Sequence, residues 1–243
     1  MGALSEPALS PIISGGLKMT STAFRPRSGQ CGVVAFPRAE ERARLKVISW
    51  NLLRLIGAAV EDVALLVEEH RPDLLLLQEA TREMENLPNL VGGHFYREPL
   101  PRRIHGLAAW SPRHLHPPHT LHLPQSPLPM RIPRIAQLVR LGDITFANVH
   151  LSHGQVRNRL QLNYIARALD GPAAVIGDYN AWGPTILHGF RDVGPREPTH
   201  VQQNLLHFRL DRCLVRGLSC ASARTLKKGK SDHRPIMLEL AVV

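Results

Sequence analysis

A four-layer α/β sandwich, with two packed mixed β-sheets between outer helices, is the fold this sequence predicts. Three observations predict it. Apolar runs of strand length recur from Leu45 to Val242, two longer stretches carry a helical period, and several strand-like runs end on a polar residue. Strands that need cover on both faces, with few helices to supply it, are most economically satisfied by stacking two sheets and placing the helices outside.

The elements follow in order. Leu45–Asn51 reads as a strand. Ala58–His70 reads as a helix, with Val60, Val63, Ala64, Leu66 and Val67 on one face and Glu61, Asp62, Glu68 and Glu69 outward. Arg71-Pro72-Asp73 stops it. Leu74–Glu79 is the next strand, followed by Phe95–Arg97, Gly106–Trp110 and a loop rich in Pro and His through Pro133. Ile135–Leu141 and Ile144–Leu151 form a hairpin about Gly142-Asp143. A second helix spans Gln155–Leu169, with Val156, Leu160, Leu162, Tyr164, Ile165 and Ala168 offered to the core. Ala173–Ile176 is a strand, Pro184–Leu187 a short helix, and His207–Val215, Leu218–Leu226 and Pro235–Val242 close the chain. Residues 1–44 hold Pro, Gly, Ser and Arg without a lasting hydrophobic period and are expected to be disordered.

The net charge of +10 and a pI near 10.4 favour a polyanionic partner: nucleic acid, a phosphorylated small molecule or anionic lipid. Solubility alone would also account for such a charge. No run of about 18 apolar residues exists, which excludes a transmembrane helix, and no secretory signal is evident. A cytoplasmic, monomeric protein is expected. Cys31, Cys213 and Cys220 are too few and too odd in number for a disulfide scaffold, and the last two read as small core residues. His114, His116, His119 and His122 alternate with prolines at no recurrent zinc spacing, so a loop is expected there.

The chemistry sits in seven segments, in order: Trp50-Asn51, Gln78-Glu79, Asn148-Val149-His150, Gly177-Asp178-Tyr179-Asn180, Leu210-Asp211, Ser231-Asp232 and His233-Arg234-Pro235. Glu79 follows a run of four leucines, where a carboxylate is costly unless paired or bound to a metal. A hard cation such as Mg²⁺ takes a few carboxylates and water, which makes Glu79 the first candidate ligand, with the amide oxygen of Asn51 beside it. Taken alone, Asn51 would be a turn cap. Asp178 and Asn180 lie two apart after an apolar strand, so an extended backbone would point both at one atom; the alternative is an Asx-turn.

The ordered set resembles the endonuclease/exonuclease/phosphatase superfamily, which includes pancreatic deoxyribonuclease, apurinic endonucleases, neutral sphingomyelinases and inositol polyphosphate phosphatases. The resemblance covers residues 45–243 as one catalytic domain, and Ser231-Asp232-His233-Arg234-Pro235 with Gly177-Asp178-Tyr179-Asn180 carries it most specifically. It implies the same four-layer sandwich and a phosphodiester hydrolase dependent on Mg²⁺, with Mn²⁺ as the alternative. By resemblance Asp178 activates the attacking water and Asn180 holds the phosphate or metal-bound water. His150 bonds a phosphate oxygen, His233 stabilises the phosphorane, Asp211 pairs with His233, and Asp232 adds a metal-directed carboxylate. Relatives carry a further carboxylate or tyrosine before the strand at Gly106–Trp110. Here that stretch reads Pro101-Arg102-Arg103-Ile104-His105, and Arg103 and His105 are offered as phosphate contacts, with Arg157 after His150.

An endonuclease-like nuclease is the leading reading, since the basic charge suits duplex DNA held through its phosphates. A phosphodiesterase or phosphatase for small or lipid phosphoesters comes second. A non-catalytic nucleic-acid-binding module is third, because such a module should have lost Glu79, Asp178 or His233. The aromatic content of 5% and the short interval from Asn180 to Asp211, with only Trp182, Phe190 and Phe208, argue against a base-flipping enzyme.

Overall fold

The computed structural model describes residues 44–125, 133–202 and 206–243. The disordered extension expected over residues 1–44 lies outside the described residues except for Arg44.

Fourteen strands and three helices are described: β1 (Leu45–Asn51), α1 (Val60–His70), β2 (Leu74–Thr81), α2 (Leu87–Val91), β3 (His94–Pro99), β4 (His105–Ser111), β5 (His119–His122), β6 (Ile135–Leu141), β7 (Ile144–His150), α3 (Gln155–Arg167), β8 (Ala173–Asp178), β9 (Arg191–Asp192), β10 (His200–Gln202), β11 (Leu206–Phe208), β12 (Asp211–Arg216), β13 (Leu218–Thr225) and β14 (Ile236–Val242). One sheet runs β13-β14-β1-β2-β4-β3, the other β5-β6-β7-β8-β12-β9, and β10-β11 is a separate hairpin. In each large sheet a single parallel pair, β1 with β2 and β7 with β8, sits among antiparallel neighbours. The expected two-sheet sandwich is the fold.

Alternation along the strands divides the core into layers. Leu74 and Leu76 join Val47, Phe146, Ile176 and Leu238 between the two sheets. Leu75 and Leu77 point the other way, onto Val60, Val63 and Val67 of α1. Ala147, Val149 and Val175 meet Leu162 and Ile165 of α3 on the far face of the second sheet. A strand buried on both faces must be apolar at every position, and this is why Leu74–Leu77 reads as a continuous run. The first helix starts on half of a capping box, Asp62 accepting the Ala59 amide at 2.9 Å, and ends where Arg71 turns left-handed (φ 46°).

Four expectations change. The stretch Pro184–Leu187 is irregular, not helical. The expected strand His207–Val215 is two elements, β11 and β12, broken at Arg209-Leu210 so that Asp211 opens a strand. The His-rich loop contains the edge strand β5, paired with β6. Last, α3 buries only part of the expected face. Leu162 and Ile165 are buried as expected, joined by Asn158 and Gln161, while Val156, Leu160, Tyr164 and Ala168 are exposed. Both stripes have helical spacing. The buried one wins because Asn158 donates to the Tyr179 carbonyl and Gln161 accepts from Ser152 and donates to Pro124, closing backbone bonds that loops leave open.

Cys213 is buried between the sheets and Cys220 is half-buried, and both are free thiols. No helix among the described residues is long and apolar enough to cross a membrane.

Candidate functional site

The polar strand ends of both sheets meet at one edge of the sandwich. Across the second sheet, His150 pairs in register with Asp178, and Asp178 with Asp211. Three side chains from β7, β8 and β12 therefore form one row. The first sheet brings Asn51 from the end of β1, and Glu79 beside it.

Glu79 is delivered by a defect. The register between β2 and β4 shifts between Gln78 and Ala80, so Glu79 is an extra residue with φ 57°. A bulge re-aims one side chain without breaking the strand. A left-handed non-glycine residue is a local strain that the surrounding pairing must hold. The Glu79 carboxylate is nearly buried; Oε2 accepts from the Arg54 amide at 3.2 Å and its guanidinium at 2.9 Å. Among the described residues Oε1 accepts no hydrogen bond, and His150 Nδ1 lies 4.0 Å from it.

Asp178 is the hub. Its Oδ2 accepts from Asn51 Nδ2 at 3.0 Å and lies 3.5 Å from His150 Nε2 and 3.8 Å from His233 Nε2. Its Oδ1 accepts the Asn180 amide at 2.9 Å, so an Asx-turn, rather than an extended i,i+2 pair, places Asn180, whose φ is 48°. Asn180 in turn donates its side-chain amide to the Leu151 carbonyl at 3.1 Å, and it lines the cavity beside His233. Burial lifts the Asp178 carboxyl above the usual range, offset in part by charged His233 and the hydrogen bonds from Asn180 and Asn51.

His233 donates Nδ1–H to Asp211 Oδ2 at 2.8 Å. Burial opposes its charge, but Asp211 and Asp178 outweigh that and hold its pKa at about 10. His150 has the opposite fate. Its burial and the nearby cations Arg134 and His233 press its pKa well below 6.5, so it is neutral. Two histidines of one site are thereby set to different protonation states. Ser231 ties the segment together, donating to the Asn51 carbonyl at 2.6 Å and accepting the His233 amide at 3.0 Å. Arg209 and Arg212 pair with Asp192, not Asp211, as the strand alternation requires.

Other expected residues are placed differently. The Asp232 carboxylate is engaged by His200 Nε2 at 3.2 Å, and the two group with His233 rather than with Glu79. His105 is buried at the start of β4, its Nδ1 without a partner, and it feels the charge of Glu79. Arg103 lies close enough to affect His105 and Arg134. Arg157 is half-buried in α3 and bonds to none of the site residues. His114, His116, His119 and His122 form no three-ligand cluster among the described residues.

Two residues were not singled out by sequence. Arg134, just before β6, is 8% exposed; its side chain makes no hydrogen bond or ion pair with any described residue, and it feels the charges of Asp178 and Glu79. In the sequence only the preceding Pro133 marks the spot. His200 stands edge-on to His233, ring centroids 4.6 Å apart; nothing in the sequence pattern points to it.

Ligand atoms of Asp178, Asp211 and His233, and of His200, Asp232 and His233, lie within 4.8 Å of one another, Glu79 Oε1 lies 4.0 Å from His150 at the same edge, and carboxylate oxygens are the hard donors a divalent cation takes. The residues fit such an ion.

Residues 48–233 match the model of the Endonuclease/Exonuclease/phosphatase family. No curated protein matches the chain. Among solved structures, an endonuclease/exonuclease/phosphatase from Beutenbergia cavernae is similar at 16% identity and a TM-score of 0.66, covering 83% of this chain and 72% of that one. A functionally unknown conserved protein from Enterococcus faecalis is similar at 20% identity and a TM-score of 0.66, covering 82% and 100%. Truncated TDP2 from Caenorhabditis elegans is similar at 18% identity and a TM-score of 0.64, covering 82% and 98%. At these identities the likeness is one of fold.

Proposed function

The chain belongs to the Endonuclease/Exonuclease/phosphatase family, and from that premise we propose that it is a divalent-metal-dependent phosphodiester hydrolase, most specifically a nuclease. One observation carries the reading: an imidazolium, His233, held between two buried carboxylates, one of which has a raised pKa. Hydrolysis of a phosphodiester needs a base for water and a fixed positive charge where the phosphorane develops.

Asp178 Oδ2 takes the proton from the attacking water; its raised pKa makes it a better base than an exposed carboxylate. His233, oriented through Nδ1 by Asp211, presents Nε2–H to a phosphate oxygen. Neutral His150 and the oxygen of Asn180 orient the phosphate and water by hydrogen bonds. Arg134 supplies a second fixed cation; a guanidinium buried without a partner is costly, and a phosphate oxygen would satisfy it. Glu79 and Asn51 would hold the cation, Mg²⁺ first and Mn²⁺ second, with Asp232 secondary because His200 engages it. When bound, the ion neutralises charge on the phosphate and its leaving oxygen. Exposed Arg103, buried His105 beside it and half-buried Arg157 would contact a passing substrate backbone. The charge of +10 supports nucleic acid as the substrate.

The test is nicking of supercoiled plasmid with Mg²⁺ or Mn²⁺, with and without EDTA, beside Asp178→Asn and His233→Ala. Metal-dependent nicking lost in both variants is expected. Hydrolysis of bis-p-nitrophenyl phosphate by the same site without nicking would move the substrate to small or lipid phosphoesters. Activity surviving both variants would refute the assignment of roles.

A further inference from the structure

Beside His233 the surface opens into a cavity of about 300 Å³, lined by Asn180, Trp182, His200, Phe208, Leu210 and His233, with His153 on its rim. Trp182 and Phe208 stack there with ring centroids 5.1 Å apart and an interplanar angle of only 4°. His200 tilts against Phe208 at 6.3 Å and meets His233 edge-on at 4.6 Å. Four rings thus run from solvent to the imidazolium assigned to the phosphate.

The outermost ring is not there for burial. Trp182 is 67% exposed, whereas Trp50 and Trp110 are each 2% exposed. Yet its position is held. Arg212 donates one nitrogen to the carbonyls of Ala181 and Gly183, at 3.4 and 2.6 Å, the residues on either side of Trp182. Asp192 fixes that guanidinium at 3.5 Å. On the other side Thr199 Oγ1 accepts the amides of Leu210 and Asp211, at 3.0 and 2.9 Å, which sets the segment carrying Phe208. An exposed indole on a pinned backbone, one face backed by a phenyl ring and the other open, is a preorganised stacking surface.

We propose that Trp182, backed by Phe208, is a shelf on which an unpaired nucleobase next to the scissile phosphate stacks. The inference rests on the phosphodiesterase reading for the place of that phosphate. In a duplex both faces of a base are already stacked, so the shelf selects single strands, flaps or frayed ends. It also gives the basic protein a contact that phosphates alone cannot supply. The same segments carry both parts: Trp182 follows Asn180 by two residues, and Phe208 precedes Asp211 by three. Stacking is therefore coupled in position to the catalytic groups.

The full chain in EDTA is titrated with a single-stranded oligothymidylate of about eight residues, and with an equally long oligomer of base-less spacers, following tryptophan fluorescence and the anisotropy of a labelled end. Because Trp182 is the exposed one of three tryptophans, quenching by the base-bearing oligomer and not by the base-less one is expected. Trp182→Ala should weaken the base-bearing oligomer about 5- to 150-fold, leave the base-less one unchanged, and be largely rescued by Trp182→Phe. With Mg²⁺, KM for cleavage should follow the binding while kcat changes little. Equal binding of the two oligomers, binding of neither, or an equal effect of Trp182→Ala on both would overturn the shelf. Base-dependent quenching without any cleavage would uphold the shelf and refute the hydrolase; cleavage of both oligomers with equal KM, unchanged in Trp182→Ala, would do the reverse.

Discussion

Replacing Asp211 with Asn tests the reading at its electrostatic centre. The substitution keeps the shape of a side chain that is wholly buried and removes the charge 2.8 Å from His233 Nδ1. In the folded protein that charge, with Asp178, holds His233 at about 10 against a burial that pulls the other way. Relative to 6.5 this amounts to on the order of 5 kcal/mol in favour of the imidazolium. The sign follows from the raised pKa. Any function that needs charged His233 is present below about pH 10 and lost above it, and the matching stability is full below about pH 6.5 and lost as pH rises through about 10. Without Asp211 the cost of burial is opposed by Asp178 and Asp232 alone, and the basic limb moves down toward neutral pH. At the ordinary value of about 6.5 the charged fraction at pH 8 falls from nearly all to about one part in thirty. The kcat/KM of Asp211→Asn on a phosphodiester should therefore fall roughly 30-fold or more at pH 8 and much less at pH 6, in an assay with saturating Mg²⁺. The pH dependence of urea unfolding between pH 6 and 10 should flatten in parallel. A loss of the same size at both pH values, with the wild-type basic limb in place, would refute the claim that Asp211 acts by holding His233 charged.

Three further outcomes are expected. Glu79→Gln should lack the Mg²⁺-dependent rise in Tm expected of the wild type, and lower kcat/KM by about 100-fold or more, read by calorimetry and phosphodiester hydrolysis. Arg134→Ala should raise KM for phosphodiesters by about 10- to 150-fold, the range of a hydrogen bond to a charged group, and leave the unfolding midpoint the same or higher, because it removes a buried cation without a partner. Asn148→Ala should destabilise by about 3–5 kcal/mol in urea, since it strips partners from the Leu77 and Ala108 carbonyls, Gln137 Oε1 and Gln78 Nε2, all buried. A cost under about 1 kcal/mol would mean that water replaces the amide.

The strands were legible for a simple physical reason. In a sandwich covered on both sides, a central strand has no solvent face, so Leu74–Leu77 and Ala173–Ile176 are uniformly apolar and stop only where the sheet edge begins. The polar residue that follows each run is then at the edge by construction, which is why Asn51, Glu79, His150 and Asp178 could be named in advance. Misreadings fall where that logic has no purchase. The helix α3 lies on the surface, and a stripe of Val156, Leu160 and Tyr164 looks as core-like as the one that is buried. The elements β5, β9, β10 and β11 are edge pieces of two to four residues, too short for a period. Arg134, His200 and the Trp182–Phe208 stack lie in loops or at strand starts, and only tertiary approach gives them meaning. Asp178 and Asn180 are joined by the Asx-turn, the alternative to the expected extended pair, because the Asp178 carboxylate accepts the Asn180 amide.

A site assembled from two sheets depends on their relative register, and the chain secures it below the site rather than within it. Gln78, next to Glu79, reaches across the sandwich to Asn148 Oδ1 at 2.7 Å and, within its own sheet, to Ser49 Oγ at 3.0 Å. Asn148, two residues before His150, donates back to the Leu77 carbonyl at 3.1 Å and the Ala108 carbonyl at 3.0 Å. Gln137 completes the chain at 3.2 Å from Asn148 and 3.1 Å from the Tyr96 carbonyl. Apolar side chains between sheets tolerate sliding, since their contacts have no direction. Amides do not, because each displaced bond leaves a buried polar group unpaired. The polar residues adjoining Glu79 and His150 are therefore keys between layers. Their bonds keep Glu79 and Asn51 of one sheet in a fixed relation to His150 and Asp178 of the other, a relation that neither sheet could impose alone.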